Sequence, residues 1–206
     1  MSPRRPDNPP LDREHLAGDP IELFAAWFEE AWEVAPLAEA MALATADEDG
    51  YPDARMVLLK GFGPDGFRFF TNYESAKGLE LEANPRAALV LYWRELDRQV
   101  RVRGTVTRIS AADSDEYFAI RPRDSQIGAA VSPQSRPIER DELDRRFREL
   151  ASSLGGSDVK RPENWGGYLL SPEEIEFWQG RHSRLHDRFR YIREPGGGWR
   201  IERLAP

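Results

Sequence analysis

The spacing of apolar residues changes along the chain, and the first segment has a helical period. Asp19 and Pro20 stand where an N-cap and a first-turn proline are expected. The pattern predicts a helix over residues 19–35 with one face on the core. The apolar positions that define this face are Leu23, Phe24, Trp27, Phe28 and Ala31.

A two-residue period replaces the helical one after residue 40. Residues 41–73 predict three strands separated by turns at "EDG" and "GPDG", and residues 86–93 and 98–110 predict a hairpin. Residues 167–180, 184–194 and 198–206 return to strand patterns, whereas 75–85, 110–122 and 139–156 read as short helices. Strands outnumber helices and cluster as hairpins. The fold class expected is therefore mainly β with flanking helices, built on an antiparallel sheet that is closed or half-closed.

Composition narrows the class of protein. The 206 residues include no cysteine, which excludes disulfides, thiolate metal sites and cysteine nucleophiles, and no apolar run has membrane-spanning length. We expect a cytoplasmic protein that does not insert in a membrane. The Pro, Asp and Asn content of residues 1–18 predicts a flexible tail, which leaves residues 19–206 as a single domain.

Charge is unevenly distributed. The net charge is −7, and residues 1–50 carry three Arg against twelve acidic residues. Residues 181–206 carry seven Arg against three acidic residues. An acidic protein that gathers arginine in one segment is suited to a small anion in a local pocket and poorly suited to nucleic acid.

Several segments offer candidate anion contacts, each with a plainer structural alternative. Ser75 and Lys77 lie at a helix N-terminus that could hold a phosphate or be an ordinary cap. Arg55 and Lys60, five residues apart on one strand, are expected on opposite faces. A phenol, a guanidinium and a hydroxyl form a further candidate set, namely Tyr117, Arg121 and Ser125. An alternating basic strand is another, with Arg184, His186, Arg188 and Arg190. Each set could also be ordinary protein surface.

A glycine motif and the histidines exclude two other kinds of site. Gly61, Gly63 and Gly66 match a dinucleotide fingerprint, but a strand follows them where that motif needs a helix, so a hairpin turn is predicted. The histidines lack metal-ligand spacing, and no metal is expected.

Eight segments together resemble the pyridoxamine (pyridoxine) 5′-phosphate oxidase family over residues 19–206. They are "RMVLLK", "FFTNYESAKGLELEANP", "DRQVRVRG", "RPRDSQIGAAVSPQS", "WGGY", "EIEFWQG", "RLHDRFRY" and "RLAP". The resemblance implies an FMN-binding split β-barrel and a homodimer with FMN at the interface. It also implies oxidation of pyridoxamine or pyridoxine 5′-phosphate by O2.

The resemblance also implies a role for individual residues. Arg184 and His186 are the implied catalytic residues. Implied cofactor contacts are Arg55, Met56, Val57, Leu58, Lys60, Phe70, Thr71, Lys77, Gln99, Gln134, Ser135, Trp178 and Arg188. Implied substrate contacts are Lys60, Tyr117, Arg121, Ser125, Arg184, Leu185 and His186.

Two departures and two rival functions accompany the resemblance. Ala76 stands where the family often has arginine, so one partner for the FMN phosphate is missing, and the N-terminus is shorter than in members whose arm covers the substrate. A flavin oxidase acting on a phenazine-type ring and a non-catalytic FMN- or pyridoxal-phosphate-binding protein are the alternatives.

Overall fold

The computed structural model describes residues 8–206. Within this range no helix is both long and apolar enough to cross a membrane. Five α-helices and nine strands form the fold of residues 8–206. The helices are α1 (Pro20–Val34), α2 (Ala76–Ala83), α3 (Ala111–Ala119), α4 (Arg123–Val131) and α5 (Arg140–Leu154). The strands are β1 (Ala40–Ala46), β2 (Pro52–Leu58), β3 (Gly61–Gly63), β4 (Gly66–Asn72), β5 (Arg86–Trp93), β6 (Arg98–Arg108), β7 (Trp165–Gln179), β8 (Asp187–Arg193) and β9 (Trp199–Arg203).

The strands form one antiparallel sheet in the order β2-β1-β5-β6-β7-β4-β3, with β8 paired to β7 and β9 to β8. Strand β7 has a central place because it pairs with β6 along nearly its whole length, with β4 through its first half and with β8 through its second half. The mainly β, antiparallel architecture confirms the prediction from the sequence.

The sheet curls so that β2 and β3, the strands at the two ends of this order, are consecutive in the sequence. Strands β2 and β3 are joined by only Leu59 and Lys60. The backbone N–H of Leu59 donates to Glu39 O at 2.8 Å, and that of Lys60 donates to Arg68 O at 2.8 Å. This break makes four strands of the predicted three. Arg55 and Lys60, which were expected on opposite faces of one strand, both line the same cavity, and Lys60 lies beyond the end of β2.

Helix α1 packs an aromatic face against the barrel, as its spacing predicts. Asp19 caps the helix by accepting from the Ile21 N–H at 2.8 Å. Phe24 is fully buried and meets Phe67 edge to face with ring centroids 4.9 Å apart. Trp27 meets Phe177 in the same manner at 5.2 Å. Edge-to-face packing adds to the burial of aromatic area, so α1 is fixed firmly on the core.

The basic strand predicted from residue 184 begins only at Asp187. Residues 182–184 form a short 3-10 turn in which Ser183 and Arg184 have φ values of 60° and 62°. Left-handed residues break the strand period. The alternation therefore holds for Arg188 and Arg190, whereas Arg184 and His186 lie in a loop, which corrects the single-strand interpretation.

Two other segments differ from expectation. Residues 8–18, assigned to a flexible tail, lie against the barrel: Leu11 is buried and the Tyr191 hydroxyl donates to Ala17 O at 2.8 Å. Residues 1–7 of that predicted tail lie outside the described residues. Helix α4 was not predicted, because its segment follows Pro122 directly and its apolar residues are few.

Candidate active site

A cavity of about 1070 Å³ opens between the barrel and the helices α2, α3 and α4. Strand β2 and the end of β4 supply one side of it, and the α3–α4 corner supplies another. Its size suits a ligand larger than a single small ring. Predicted site residues that line it are Arg55, Met56, Val57, Leu58, Lys60, Phe70, Thr71, Lys77, Tyr117, Arg121, Ser125, Gln134 and Ser135.

One wall of the cavity is cationic and lies at the N-terminus of α2. Ser75 caps this helix, accepting from the Gly78 N–H at 3.4 Å. Lys77 is only 6% exposed, and its Nζ lies 3.3 Å from Ser75 Oγ. Burial, followed by the nearby positive charge of Arg55, lowers the pKa of Lys77. Two neighbouring cations beside a helix N-terminus form a site that favours an anion.

Two carboxylates hold Arg55 in this wall. Its Nη2 lies 2.5 Å from Asp53 Oδ2 and 3.0 Å from Glu80 Oε2. The Thr45 hydroxyl joins the group, accepting from Arg55 Nη1 and donating to Glu80. The backbone N–H of Ala54 and the Arg55 guanidinium lower the pKa of Asp53. Arg55 is thereby oriented, but part of its charge is already compensated.

A second cationic wall lies where α3 ends. Arg121 lies over the Trp165 ring, with its guanidinium carbon 4.6 Å from the ring centroid. Tyr117 stacks on Phe70 at a centroid distance of 3.9 Å. Burial lowers the pKa of Arg121 and raises that of Tyr117. Among the described residues, Arg121 Nη1 is buried without a hydrogen-bond partner. A buried, unsatisfied guanidinium N–H is costly unless an acceptor occupies the cavity.

An amide joins the barrel to the loop after α4. The side-chain oxygen of Gln134 accepts from the Thr71 hydroxyl at 3.1 Å and from the Asn72 N–H at 3.3 Å. Gln134 is thus fixed at the cavity edge beside Ser135, which has a left-handed φ of 71°. Ser125 is exposed on α4, and Lys60 Nζ lies 4.0 Å from Glu39.

Three predicted flavin contacts line no part of this cavity. Gln99, Trp178 and Arg188 stand directly opposite one another on β6, β7 and β8. Their neighbours Val100, Phe177 and Phe189 point into the core, so this row lies on the outer face of the barrel.

A buried carboxylate fixes the arginine of the row. Glu176 is 3% exposed and accepts from Arg188 Nε at 2.8 Å, while Arg101 approaches its other oxygen at 3.2 Å. The Arg188 Nη1 donates to Ala205 O at 2.9 Å. Arg188 is therefore held in one orientation on this face.

The residues predicted to be catalytic lie beside the row and also outside the large cavity. Arg184 and Leu185 are exposed in the loop after β7, and His186 lies against Trp178 with ring centroids 4.6 Å apart. The Arg181 N–H donates to His186 Nδ1 at 3.1 Å. Because Nδ1 accepts, the proton of the neutral imidazole is on Nε2. Leu185 and His186 line a separate cavity of about 370 Å³ with the C-terminal residues Arg203, Leu204, Ala205 and Pro206.

The comparisons with known proteins cover nearly the whole chain. Residues 28–154 match the sequence family "Pyridoxamine 5'-phosphate oxidase", and residues 165–206 match "Pyridoxine 5'-phosphate oxidase C-terminal dimerisation region". A pyridoxine/pyridoxamine 5'-phosphate oxidase of Salinibacter ruber is 55% identical over 201 residues, 95% of this chain and 93% of that protein. One of Rubrobacter xylanophilus is 59% identical over 191 residues, 91% and 87% of the two chains.

The chain belongs to the pyridoxamine 5'-phosphate oxidase family. It is accordingly an oxidoreductase with FMN as cofactor, and the dimerisation region supports a homodimer. The resemblance stated from the sequence is thereby confirmed.

Solved structures confirm the split-barrel fold. PhzG from Burkholderia lata, solved with tetrahydrophenazine-1-carboxylic acid, has a TM-score of 0.91 and 30% identity, with 97% of this chain and 98% of that chain covered. A pyridoxamine 5'-phosphate oxidase-related, FMN-binding protein from Nostoc punctiforme has a TM-score of 0.77 and 20% identity, with coverage of 93% and 100%. The second likeness concerns the fold alone.

The residues of the first cationic wall fit the phosphate of FMN. Lys77 is a buried cation beside a second cation, and burial followed by the charge of Arg55 lowers its pKa although Glu80 and Asp53 act in the opposite direction. The hydroxyl of Thr71 and the start of α2 stand beside it. A phosphate dianion would supply the missing negative charge.

Sequence reasoning missed the residues that shape and orient the cations. Trp165 forms the surface on which Arg121 lies, and Asp53 and Glu80 hold Arg55. The position of Glu80 three residues after Lys77 was an available signal, because residues at this spacing share one helix face. Trp165 begins the segment "WGGY" that contributes to the resemblance, whereas nothing in the sequence marks Asp53 in a comparable way.

Proposed function

We propose that the protein oxidises pyridoxamine 5′-phosphate or pyridoxine 5′-phosphate to pyridoxal 5′-phosphate, with O2 reduced to H2O2. The observation that carries this proposal is the buried Nη1 of Arg121, which has no hydrogen-bond partner among the described residues. It marks a second anion position beside the Lys77–Arg55 wall. A cofactor and a substrate that each carry a phosphate account for two such positions.

The placement of the cavity residues supports the roles that the resemblance implies for them. Lys77, Arg55 and Thr71 would hold the FMN phosphate, with Met56, Val57, Leu58 and Phe70 along the remainder of the cofactor. Arg121, Tyr117, Ser125 and Lys60 would hold the substrate phosphate. The names of the relatives support a phosphorylated B6 vitamer as substrate.

The remaining predicted residues would reach the cavity from a second subunit. Gln99, Trp178 and Arg188 lie on an outer face, and two of them belong to the segment that matches the dimerisation region. A two-fold axis places the same face of each chain against its partner. We infer that FMN lies at this interface, between the cavity of one subunit and the Gln99–Trp178–Arg188 row of the other.

The protein residues orient the reacting groups. FMN, when bound, supplies the acceptor for a hydride from the C4′ carbon of the substrate. His186, with its proton on Nε2, would donate a hydrogen bond to the substrate, and Arg184 would cover the ring. The amine substrate loses its nitrogen as ammonia after water adds to the resulting imine. The two electrons finally reduce O2, which with two protons gives H2O2.

The test is the visible spectrum of the FMN-loaded protein without air. Pyridoxamine 5′-phosphate should bleach the flavin, and readmitted air should restore the colour with release of pyridoxal 5′-phosphate. Arg121→Lys should raise the concentration needed for bleaching roughly tenfold to a hundredfold, because a single ammonium replaces a fixed fork of donors. Arg123→Lys is the matched control, since that side chain donates to Ser157 O at 2.8 Å on the exposed surface. A flavin that stays yellow would contradict the proposal.

A second candidate is oxidation of a phenazine-type ring. It is favoured by one observation, the 0.91 TM-score to PhzG. The buried, unsatisfied Arg121 argues for a phosphorylated substrate instead. Peroxide release with a tetrahydrophenazine carboxylic acid and with pyridoxamine 5′-phosphate, compared side by side, separates the two activities.

A further inference from the structure

We propose that the segment Asn8–Leu11, called here the strap, positions His186 by fixing the base of the loop 180–186. The functional part of this inference rests on the proposed role of His186. The strap lies across the end of β7 and the start of β8, which the loop 180–186 connects. Its contacts are made largely by its backbone, so the sequence gives little sign of them.

Four hydrogen bonds join the strap to the barrel. The Gln179 Nε2 donates to Pro9 O at 2.7 Å, and the Leu11 N–H donates to Asp187 Oδ2 at 3.1 Å. Gln179 and Asp187 stand opposite each other as the last and first residues of their strands. The strap therefore grips both sides of the loop base. The other two bonds run from Arg181 Nη1 to Asn8 O and from Asn8 Nδ2 to Leu96 O, the latter at 2.6 Å.

The groups at the loop base are themselves anchored in the barrel. Gln179 is 1% exposed, and its oxygen accepts from Arg98 Nε at 2.9 Å. Asp187 is 5% exposed and lies 2.6 Å from Arg203 on β9. Buried polar groups that are fully paired hold one geometry, because any displacement leaves one of them unsatisfied.

Arg181 connects the strap to the imidazole. Its side chain binds Asn8 O and approaches Asp187 Oδ2 at 3.5 Å, while its backbone N–H donates to His186 Nδ1 at 3.1 Å. The tautomer and orientation of His186 consequently depend on where Arg181 is held. Arg181 is a positioning residue in this arrangement.

The conformation of the loop explains why it needs anchoring. Ser183 and Arg184 follow one another with φ values of 60° and 62°. Left-handed geometry is unfavourable for residues other than glycine and persists where the surroundings impose it. The strap supplies such surroundings on both sides of the turn.

The test compares two N-terminal deletions of the full, FMN-loaded protein. Deletion of residues 2–10 removes the carbonyls of Asn8 and Pro9, whereas deletion of residues 2–7 leaves all four hydrogen bonds and is the matched control. Histidine-selective ¹⁵N spectra are readable because the chain has three histidines. The longer deletion should convert His186 from one Nε2–H tautomer to an averaged signal. It should also accelerate tryptic cleavage after Arg181 and Arg184 roughly tenfold.

A point variant gives the same information if the longer deletion does not fold. Arg181→Met should change the His186 signal in the same direction and raise KM for the phosphorylated substrate, with FMN retained. Arg200→Met, at an exposed position on β9, is its control. The proposal is overturned if the longer deletion and Arg181→Met both keep the parent spectrum and the parent rate of cleavage after Arg184, or if deletion of residues 2–7 has the full effect. The His186 spectrum and the cleavage rate do not require turnover. A protein without oxidase activity would therefore refute the proposed function alone.

Discussion

Lys77 shows how one side chain can be both buried and charged. It is 6% exposed, and its ammonium contacts the Ser75 hydroxyl. The positive charge of Arg55 contributes to the lowering of its pKa. The sequence identified Lys77 because a lysine in the first turn of a capped helix is a recognisable anion contact. It gave no account of Asp53 and Glu80, whose distances from Arg55 depend on how β2 lies against α2.

Replacement of Lys77 by alanine should weaken FMN binding roughly tenfold to a hundredfold, because a charge-assisted hydrogen bond to phosphate is lost. Equilibrium titration of flavin fluorescence measures the change. Lys160→Ala, at an exposed position, should bind FMN as the parent does. Unchanged affinity in the Lys77 variant would place the phosphate elsewhere.

The pH dependence of FMN binding tests the same lysine. Burial and the charge of Arg55 lower the pKa of Lys77 in the protein without FMN. As the pH rises, its ammonium group therefore loses a proton before the pH reaches the ordinary lysine pKa of about 10.4. A bound dianion favours the charged form, hence FMN affinity should fall as pH rises through the lowered pKa. Lys77→Arg should flatten this fall, since a guanidinium stays charged. A parent titration that is flat from neutral pH to about pH 10 would contradict the assignment.

At the scale of elements, helix α2 is placed by a close approach to the turn before it. A Cβ atom on Gly78 would lie 2.1 Å from the Tyr73 carbonyl oxygen, so the helix can dock only with glycine there. The sequence predicted α2 and its cap, but not this contact, because docking distance is not encoded in periodicity. The break at Leu59 and the left-handed turn at Ser183 were missed for the same reason: both depend on contacts distant in the chain.

Gly78→Ala should lower the free energy of unfolding by about 1–3 kcal/mol and weaken FMN binding, because α2 must move to relieve the clash. Gly128→Ala is the matched control for stability alone, since Gly128 lies within α4 and a Cβ there meets nothing within 4 Å, but the residue lines the large cavity. That substitution should raise stability by up to about 1 kcal/mol through helix propensity. Urea unfolding of both variants gives the comparison, and equal midpoints would show that α2 adapts freely.

At the scale of the whole molecule, the predicted site residues divide between two places in one chain. Arg55, Lys77 and Arg121 line the large cavity, whereas Trp178 and His186 lie on another face. The family resemblance gave both sets from the sequence. Pattern reasoning could not show that they are separated within a protomer, because this depends on the path of the barrel.

Hybrid dimers test whether two chains complete one site. At an FMN concentration that saturates the parent but not the Lys77→Ala protein, the Lys77→Ala and His186→Ala proteins should each be nearly inactive. After the two are unfolded and refolded together, mixed dimers contain one site with both substitutions and one with neither, which should restore about a quarter of parental activity. Refolding each variant alone is the control. No recovery on mixing, with hybrids verified by mass, would place all the machinery within one chain.

Strand β7 contributes one residue to each of the two proposed sites. Its first residue, Trp165, lies beneath Arg121, and Trp178 near its other end lies in the outer row. In the proposed dimer, β7 thus contributes Trp165 to the cavity of its own subunit and Trp178 to the site of the partner subunit. A change in the register of β7 would therefore displace Trp165 and Trp178 together and alter both sites.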